Sequence, residues 1–185
     1  MTTKILRELT AYFLKEYFDG IPEIPISFAS NMELDGAAGV FCMRPGEEYD
    51  VDNDELIDCP SYKVRHVSLM NNTGYWVVNE ESWRDPLNHP DICIRINRKY
   101  QKHFEYIAGT LLHELMHYYC WYMGYDYRDR DYEFNRRCLD RGIPTNFFDY
   151  EFTGECWRDT FDYSTMRKYT EGFIDKLDSA PVDVA

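Results

Sequence analysis

His113 and His117 are four residues apart and enclose Glu114 in the pattern H-E-x-x-H, the arrangement in this chain best suited to chemistry. Residues four apart on an α-helix lie one above the other on one face, so both imidazoles can reach one metal ion. Imidazole nitrogens are common zinc ligands, and a neighbouring carboxylate can take a proton from water bound to the metal. The motif therefore predicts a Zn²⁺ site that hydrolyses peptide bonds, with Glu114 as the general base.

The sequence around the motif predicts a buried helix over residues 104–123, which Gly124 would end. Its core, Leu111, Leu112, Leu115 and Met116, is too apolar for a surface helix. Histidines in such a helix would be desolvated and would need a partner, and a metal ion is the natural one. The alternative interpretation is a surface helix that carries two histidines and a glutamate without a metal.

A third metal ligand must come from another element, because a catalytic zinc site usually has three protein ligands and water. No histidine follows His117, so a carboxylate or a cysteine is expected. Asp129 and Asp131 precede a helix predicted over residues 132–141, and both are candidate ligands. Asp131 could instead cap that helix, and Asp129 could pair with a neighbouring arginine. Cys120, on the motif helix, is a further candidate ligand.

The remaining pattern predicts an α+β fold. Helices are expected over residues 1–18 and about 165–177, and strands over residues 24–29, 40–43, 62–70, 74–79 and 92–97. The third and fourth strands are expected to form a hairpin through residues 71–74. In the last strand, Ile92, Ile94 and Ile96 alternate with more polar residues, which predicts a half-buried strand. As a sheet edge, it would pair with an extended substrate.

Length and composition predict a single domain over residues 1–178 and a flexible tail over residues 179–185. Residues 47–58 carry seven carboxylates without Lys or Arg, and are interpreted as a solvated acidic loop inserted in the domain. A cation or partner site is the alternative there. The net charge of −13 argues against strong direct nucleic-acid binding, so the expected partner is a protein or peptide substrate.

The lack of a recognisable targeting signal and the spacing of the cysteines predict a cytoplasmic protein. The N-terminal segment lacks the apolar core and cleavage site of a signal peptide, and no apolar stretch is long enough to span a membrane. The six cysteines contain no C-x-x-C pair and are interpreted as reduced thiols. The sequence makes no prediction of the oligomeric state.

The chain resembles the SprT-like metalloprotease family over about residues 1–150. The similarity is carried by TLLHELMHYY at residues 110–119 and YRDRD at 127–131, with further matches at AGVF 38–41, IRINRKY 94–100, Gly124, Phe134, Gly142 and Pro144. The resemblance implies a zincin-like fold: an N-terminal helix, a small mixed sheet, the H-E-x-x-H helix and following helices. It also implies one zinc ion and peptide-bond hydrolysis. The family often has a histidine where this chain has Asp129 and Asp131, and a carboxylate is an acceptable replacement.

Two other functions compete with a general peptidase. One is a narrow regulatory peptidase with a single target protein. The other is a zinc-stabilised binding module without catalysis, which would close its site with four protein ligands, for instance by adding Cys120. In the peptidase interpretation, Tyr125 or Tyr127 could assist the oxyanion that forms on the attacked carbonyl.

Overall fold

The computed structural model describes residues 1–43, 47–50, 55–56, 63–66, 74–78, 92–145, 147–148, 151–152 and 161–179. Over these ranges the chain is α+β, as predicted. Its helices are α1 Thr3–Tyr17, α2 Phe104–Met123, α3 Tyr132–Asp140 and α4 Tyr163–Ser179. Its strands are β1 Ile26–Ala29, β2 Gly39–Met43, β3 Glu47–Asp50, β4 Glu55–Leu56, β5 Lys63–His66, β6 Gly74–Val78, β7 Ile92–Asn97, β8 Phe147–Phe148 and β9 Glu151–Phe152.

A small mixed sheet lies beside the helix that holds the H-E-x-x-H motif. Its order is β1-β7-β2, with β1 parallel and β2 antiparallel to β7. Ile92, Ile94 and Ile96 are buried, which confirms the predicted alternation. The prediction that this strand is a sheet edge is wrong, because β7 has a neighbour on each side. Alternation of apolar and polar residues indicates which face of a strand is buried. It does not indicate which strands pair with it on either side.

Helix α2 is the central element of the core. It packs against β2, β7 and the other three helices. Its limits are those predicted, and it ends at Gly124, whose φ of +76° favours glycine. No helix in the described ranges combines the length and apolar character that crossing a bilayer requires.

The other helices surround α2. Helix α1 begins after Thr2, whose hydroxyl accepts a hydrogen bond from the Ile5 N–H at 3.2 Å, and it buries Leu6, Leu9 and Phe13. Helix α4 begins two residues earlier and ends two residues later than predicted. Residues 178–179, which the predictions placed past the end of the last helix, are therefore helical, and residues 180–185 lie outside the described residues.

A second sheet, of order β4-β3-β6-β5, is built from the segment between β2 and β7. The predicted pairing of β5 with β6 is confirmed, and their connecting turn lies outside the described residues. The prediction that residues 47–58 form a loop is wrong in part, because β3 and β4 lie within this range as antiparallel strands. The prediction failed because a high density of carboxylates indicates only solvent exposure. Antiparallel strands can also have one face in contact with solvent.

Candidate metal centre

Three ligand atoms converge beside α2. The Nε2 atoms of His113 and His117 are 3.0 Å apart, and Asp129 Oδ1 lies 3.2 Å from the first and 3.5 Å from the second. Two ligands of a tetrahedral zinc ion, each about 2.0–2.1 Å from the metal, are about 3.3–3.4 Å apart. The triangle therefore has the size and the donor types that such an ion requires. Within the described part of the chain, it is the only group of three metal-ligating side chains.

Two backbone carbonyls orient the imidazoles. His113 Nδ1 donates to the Pro144 carbonyl at 2.7 Å, and His117 Nδ1 donates to the Tyr127 carbonyl. When Nδ1 carries the proton of a neutral imidazole, Nε2 is left with a lone pair that can bind a metal ion. Outer hydrogen bonds of this kind fix the tautomer and the ring orientation of metal-binding histidines.

The aromatic ring of Phe134 supports both histidines from α3. It stacks on the His117 imidazole with centroids 4.0 Å apart and an interplanar angle of 8°, and it meets the His113 ring edge-on at 5.2 Å. Phe134 is fully buried, so the imidazoles have an apolar wall behind them. Sequence analysis did not assign Phe134 to the site, although its place in the amphipathic α3 indicates that it faces α2.

Asp129 is positioned by the short segment between α2 and α3. The buried Asn135 amide donates to the Asp129 carbonyl at 2.7 Å and to the Asp131 carbonyl at 2.8 Å, and it accepts a hydrogen bond from the Thr145 hydroxyl. The Asp129 side chain itself remains 54% exposed. A ligand group that is open on one side leaves room for water or substrate.

Asp131 lies outside this group, so the structure does not support it as a metal ligand. Its carboxylate accepts the Arg128 N–H at 2.7 Å. It occupies the position before α3, but it makes no side-chain hydrogen bond to the helix. Its hydrogen bond shapes the turn that carries Asp129.

Cys120 is also outside the group, although it is on the same helix. Its thiol is buried, and burial raises its pKa to about 12. Since the thiolate is the form that binds metals, this environment disfavours coordination. The group thus has three protein ligands among the described residues.

Hydrogen bonding and charge shift the pKa values of His113 and Asp129 in opposite directions. Burial disfavours the charged form of His113, but the hydrogen bond to Asp129 and the charge of Glu114 outweigh it and raise the His113 pKa to about 8. Burial would raise the pKa of Asp129, yet hydrogen bonds from both imidazoles hold it well below its usual range.

Glu114 lies beside the ligands and is 6% exposed. Its Oε2 accepts a hydrogen bond of 2.7 Å from the Phe41 N–H of β2. Burial raises the pKa of the Glu114 carboxyl, an effect that electrostatic interactions with His113 and His117 partly oppose. A buried carboxylate with a raised pKa is suited to accepting and returning a proton.

Gly39 allows β2 to approach α2 this closely. A Cβ atom at this position would lie 2.7 Å from Thr110 Cγ2 and 3.0 Å from both Glu114 Cγ and Glu114 Oε1. Such contacts are shorter than van der Waals separation, so a side chain would displace Glu114 or the strand. The close contact between Gly39 and Glu114 could not be predicted from the sequence.

The ligands and Glu114 share a cavity of about 500 Å³ with part of β2. The predicted oxyanion residues differ in position. Tyr127 lines the cavity, whereas the ring of Tyr125 lies 4.0 Å from the Arg137 guanidinium. Of the two tyrosines, only Tyr127 borders this cavity.

Comparisons with protein-family models, with curated proteins and with solved structures found no match to this chain. The resemblance to SprT-like proteases remains a prediction, and the function has to be argued from the site.

Proposed function

We propose that the chain is a zinc-dependent peptidase whose metal ligands are His113, His117 and Asp129. The observation that carries the proposal is the triangle of ligand atoms with edges of 3.0–3.5 Å beside a buried glutamate, open to a cavity. A structural zinc site usually closes with four protein ligands. Three ligands among the described residues, one of them the exposed Asp129, favour catalysis over a binding module.

In the proposed reaction, Glu114 is the general base. A zinc ion in this site would supply Lewis acidity, which polarises a peptide carbonyl and lowers the pKa of a water molecule to about 7. Glu114 accepts the proton of the attacking water and returns it to the leaving amine. The hydrogen bond from Phe41 holds the carboxylate in place during this transfer.

The substrate in this proposal is an extended peptide segment beside β2. Among the described strands, β2 is one of the two edges of the three-stranded sheet, and it lines the cavity through Gly39, Val40 and Phe41. An exposed strand edge can hydrogen-bond to a peptide backbone, which gives affinity without requiring particular side chains. The edge at β2 replaces the edge that sequence analysis assigned to residues 92–97.

We also propose a zincin-like arrangement and membership of the SprT-like family. The order of elements supports both: an N-terminal helix, a mixed sheet, the H-E-x-x-H helix and a following helix that delivers a ring to the histidines. The aspartate ligand sets this chain apart from family members that have histidine there.

The test is metal analysis together with peptide cleavage, using wild type and Glu114→Gln. Wild type is expected to bind one zinc ion per chain and to cleave casein or a mixed peptide library. Glu114→Gln is expected to keep the zinc and to lose at least about 10²-fold in cleavage rate, because it cannot accept a proton.

Each departure from this result has a distinct meaning. Unchanged cleavage by Glu114→Gln would reject the proposed mechanism. Iron in place of zinc would favour oxygen chemistry, for which two histidines and a carboxylate are also a known ligand set. Stoichiometric zinc without cleavage of any library peptide would favour the single-target peptidase or the binding module.

A further inference from the structure

Two half-exposed cysteines face each other across β2 and β7. Cys42 and Cys93 are register partners, directly opposite on antiparallel strands. The Asn97 N–H donates to the Ala38 carbonyl at 2.8 Å, so alternation along the ladder makes Cys42 and Cys93 a hydrogen-bonded pair. The Cα atoms of such pairs are about 5.5 Å apart. This separation lies within the range that a disulfide spans, about 4.4–6.8 Å.

The two thiols already interact in the reduced protein. The Cys42 thiol donates a hydrogen bond to the Cys93 sulfur, and this bond, together with burial, raises the pKa of Cys42. The exposed Arg95, on the same face of β7, also donates to the Cys93 sulfur. A cationic neighbour beside a cysteine is typical of the attacking partner in thiol–disulfide exchange.

The position of the pair gives a bond between them a structural consequence. The chain leaves the first sheet after Met43 and returns at Ile92, the register pair next to the cysteines. Strands β3 to β6 lie between these two residues. A disulfide between Cys42 and Cys93 would close a loop of about 50 residues at its base. A disulfide reduces the conformational entropy of the unfolded chain more when the loop that it closes is longer.

We propose that Cys42 and Cys93 are a redox-active dithiol that closes reversibly into a disulfide at the base of the inserted sheet. The oxidant is a small disulfide of the glutathione type. The Cys93 thiolate attacks one sulfur of the oxidant, which forms a mixed disulfide and releases one thiol. The Cys42 sulfur, after losing its proton, then attacks Cys93 and releases the second thiol. Two electrons and two protons pass to the oxidant, and this chemistry is independent of the metal centre.

Cys120 and Cys138 provide the contrast within the same chain. Both thiols are fully buried, and burial raises the pKa of each. The difference that matters is exposure, because an oxidant must reach the sulfur, and of these four cysteines only Cys42 and Cys93 are partly exposed. These two cysteines are therefore expected to stay reduced under conditions that oxidise Cys42 and Cys93.

The experiment uses the full chain, reduced, freed of reductant and equilibrated with buffers of increasing ratio of glutathione disulfide to glutathione. Remaining thiols are then alkylated, and the digested protein is examined by mass spectrometry. The expected product is a linked peptide pair containing Cys42 and Cys93, lighter by two hydrogens, which dithiothreitol reverses. The melting temperature of the linked form is expected to rise by about 5–10 °C.

Two serine variants serve as matched controls. Cys42→Ser and Cys93→Ser are each expected to give a glutathione adduct on the remaining cysteine and no rise in melting temperature. Arg95→Gln is expected to slow alkylation of Cys93 several-fold. The proposal is overturned if wild type keeps both thiols open to alkylation in the most oxidising buffer. It is equally overturned if either cysteine links to Cys59 or Cys156.

Discussion

The backbone N–H of Phe41 lies 2.7 Å from the Glu114 carboxylate and joins the edge strand β2 to the motif helix α2. The Glu114 carboxylate, the proposed general base, is thereby held by the same strand that borders the cavity. If a substrate pairs with β2, the same strand would hold both the substrate and the Glu114 carboxylate, so the distance between them would stay fixed. Precise positioning of reacting groups accounts for a large part of enzymatic rate enhancement.

Gly39→Ala tests this positioning. The added methyl group would contact Glu114 and Thr110 at 2.7–3.0 Å, so the carboxylate must shift. We expect kcat to fall by about 10–100-fold with zinc content unchanged, because the three ligands are untouched. The double variant Gly39→Ala/Thr110→Ser removes the closest of these contacts and should recover part of the loss. A Gly39→Ala enzyme with wild-type kcat would show that β2 does not constrain Glu114.

Asp129→Ala and Asp131→Ala form a matched pair. They lie two residues apart in one turn, yet only Asp129 contacts the imidazoles. Asp129→Ala is expected to lose most of its zinc at micromolar free metal, measured by competition with a chelator. Asp131→Ala should retain zinc and lose only about 1 kcal/mol of unfolding free energy, the value of one hydrogen bond. Equal zinc loss in both variants would mean that the turn, and not the carboxylate, determines binding.

The pH dependence of stability should show the role of Asp162 at the start of α4. Its carboxylate accepts hydrogen bonds from the Thr165 hydroxyl at 2.5 Å and from the Ser164 N–H and hydroxyl, which lower its pKa to about 2. A lowered pKa in the folded state contributes stability above about pH 4, the ordinary value, and this contribution is lost as the pH falls toward 2.

The measurement is urea unfolding of wild type and Asp162→Asn between pH 6 and pH 2.5. Asp162→Asn is expected to be less stable at pH 6, with a difference that shrinks steadily below pH 4. Because the group is exposed to solvent, high salt should reduce the difference as well. A gap that is constant with pH would show that the charge of Asp162 contributes nothing.

Local pattern was sufficient for much of this fold and for part of the site. The limits of α2, the alternation of β7 and the pairing of His113 with His117 follow from helical and strand periodicity. The order of strands in the sheet does not follow from periodicity. The prediction therefore made β7 an edge strand, whereas the structure places it between β1 and β2. The choice of Asp129 over Asp131 as a ligand depends on a turn in which Asp131 accepts the Arg128 N–H. The histidines are oriented by backbone carbonyls, and since every residue has one, the sequence cannot indicate which carbonyls are used. Such contacts are set by tertiary packing, which no local pattern encodes.

Asn135→Ala tests whether contacts behind the ligands contribute to metal affinity. The Asn135 amide ties the Asp129 and Asp131 carbonyls to α3, so its loss should loosen the ligand without removing it. Removal of a supporting hydrogen bond typically weakens metal binding by about 10–100-fold. The buried bonds that are lost should also reduce unfolding free energy by about 1–3 kcal/mol.

A control for destabilisation alone is Thr170→Ala on α4. Thr170 is as buried as Asn135, and its hydroxyl donates to the Met166 carbonyl at 3.0 Å, outside the metal centre. Thr170→Ala should lower stability but leave the zinc dissociation constant unchanged, as measured by chelator competition. Asn135→Ala should change both. If the two variants lower zinc affinity equally, general stability and not the Asn135 bridge would account for the effect.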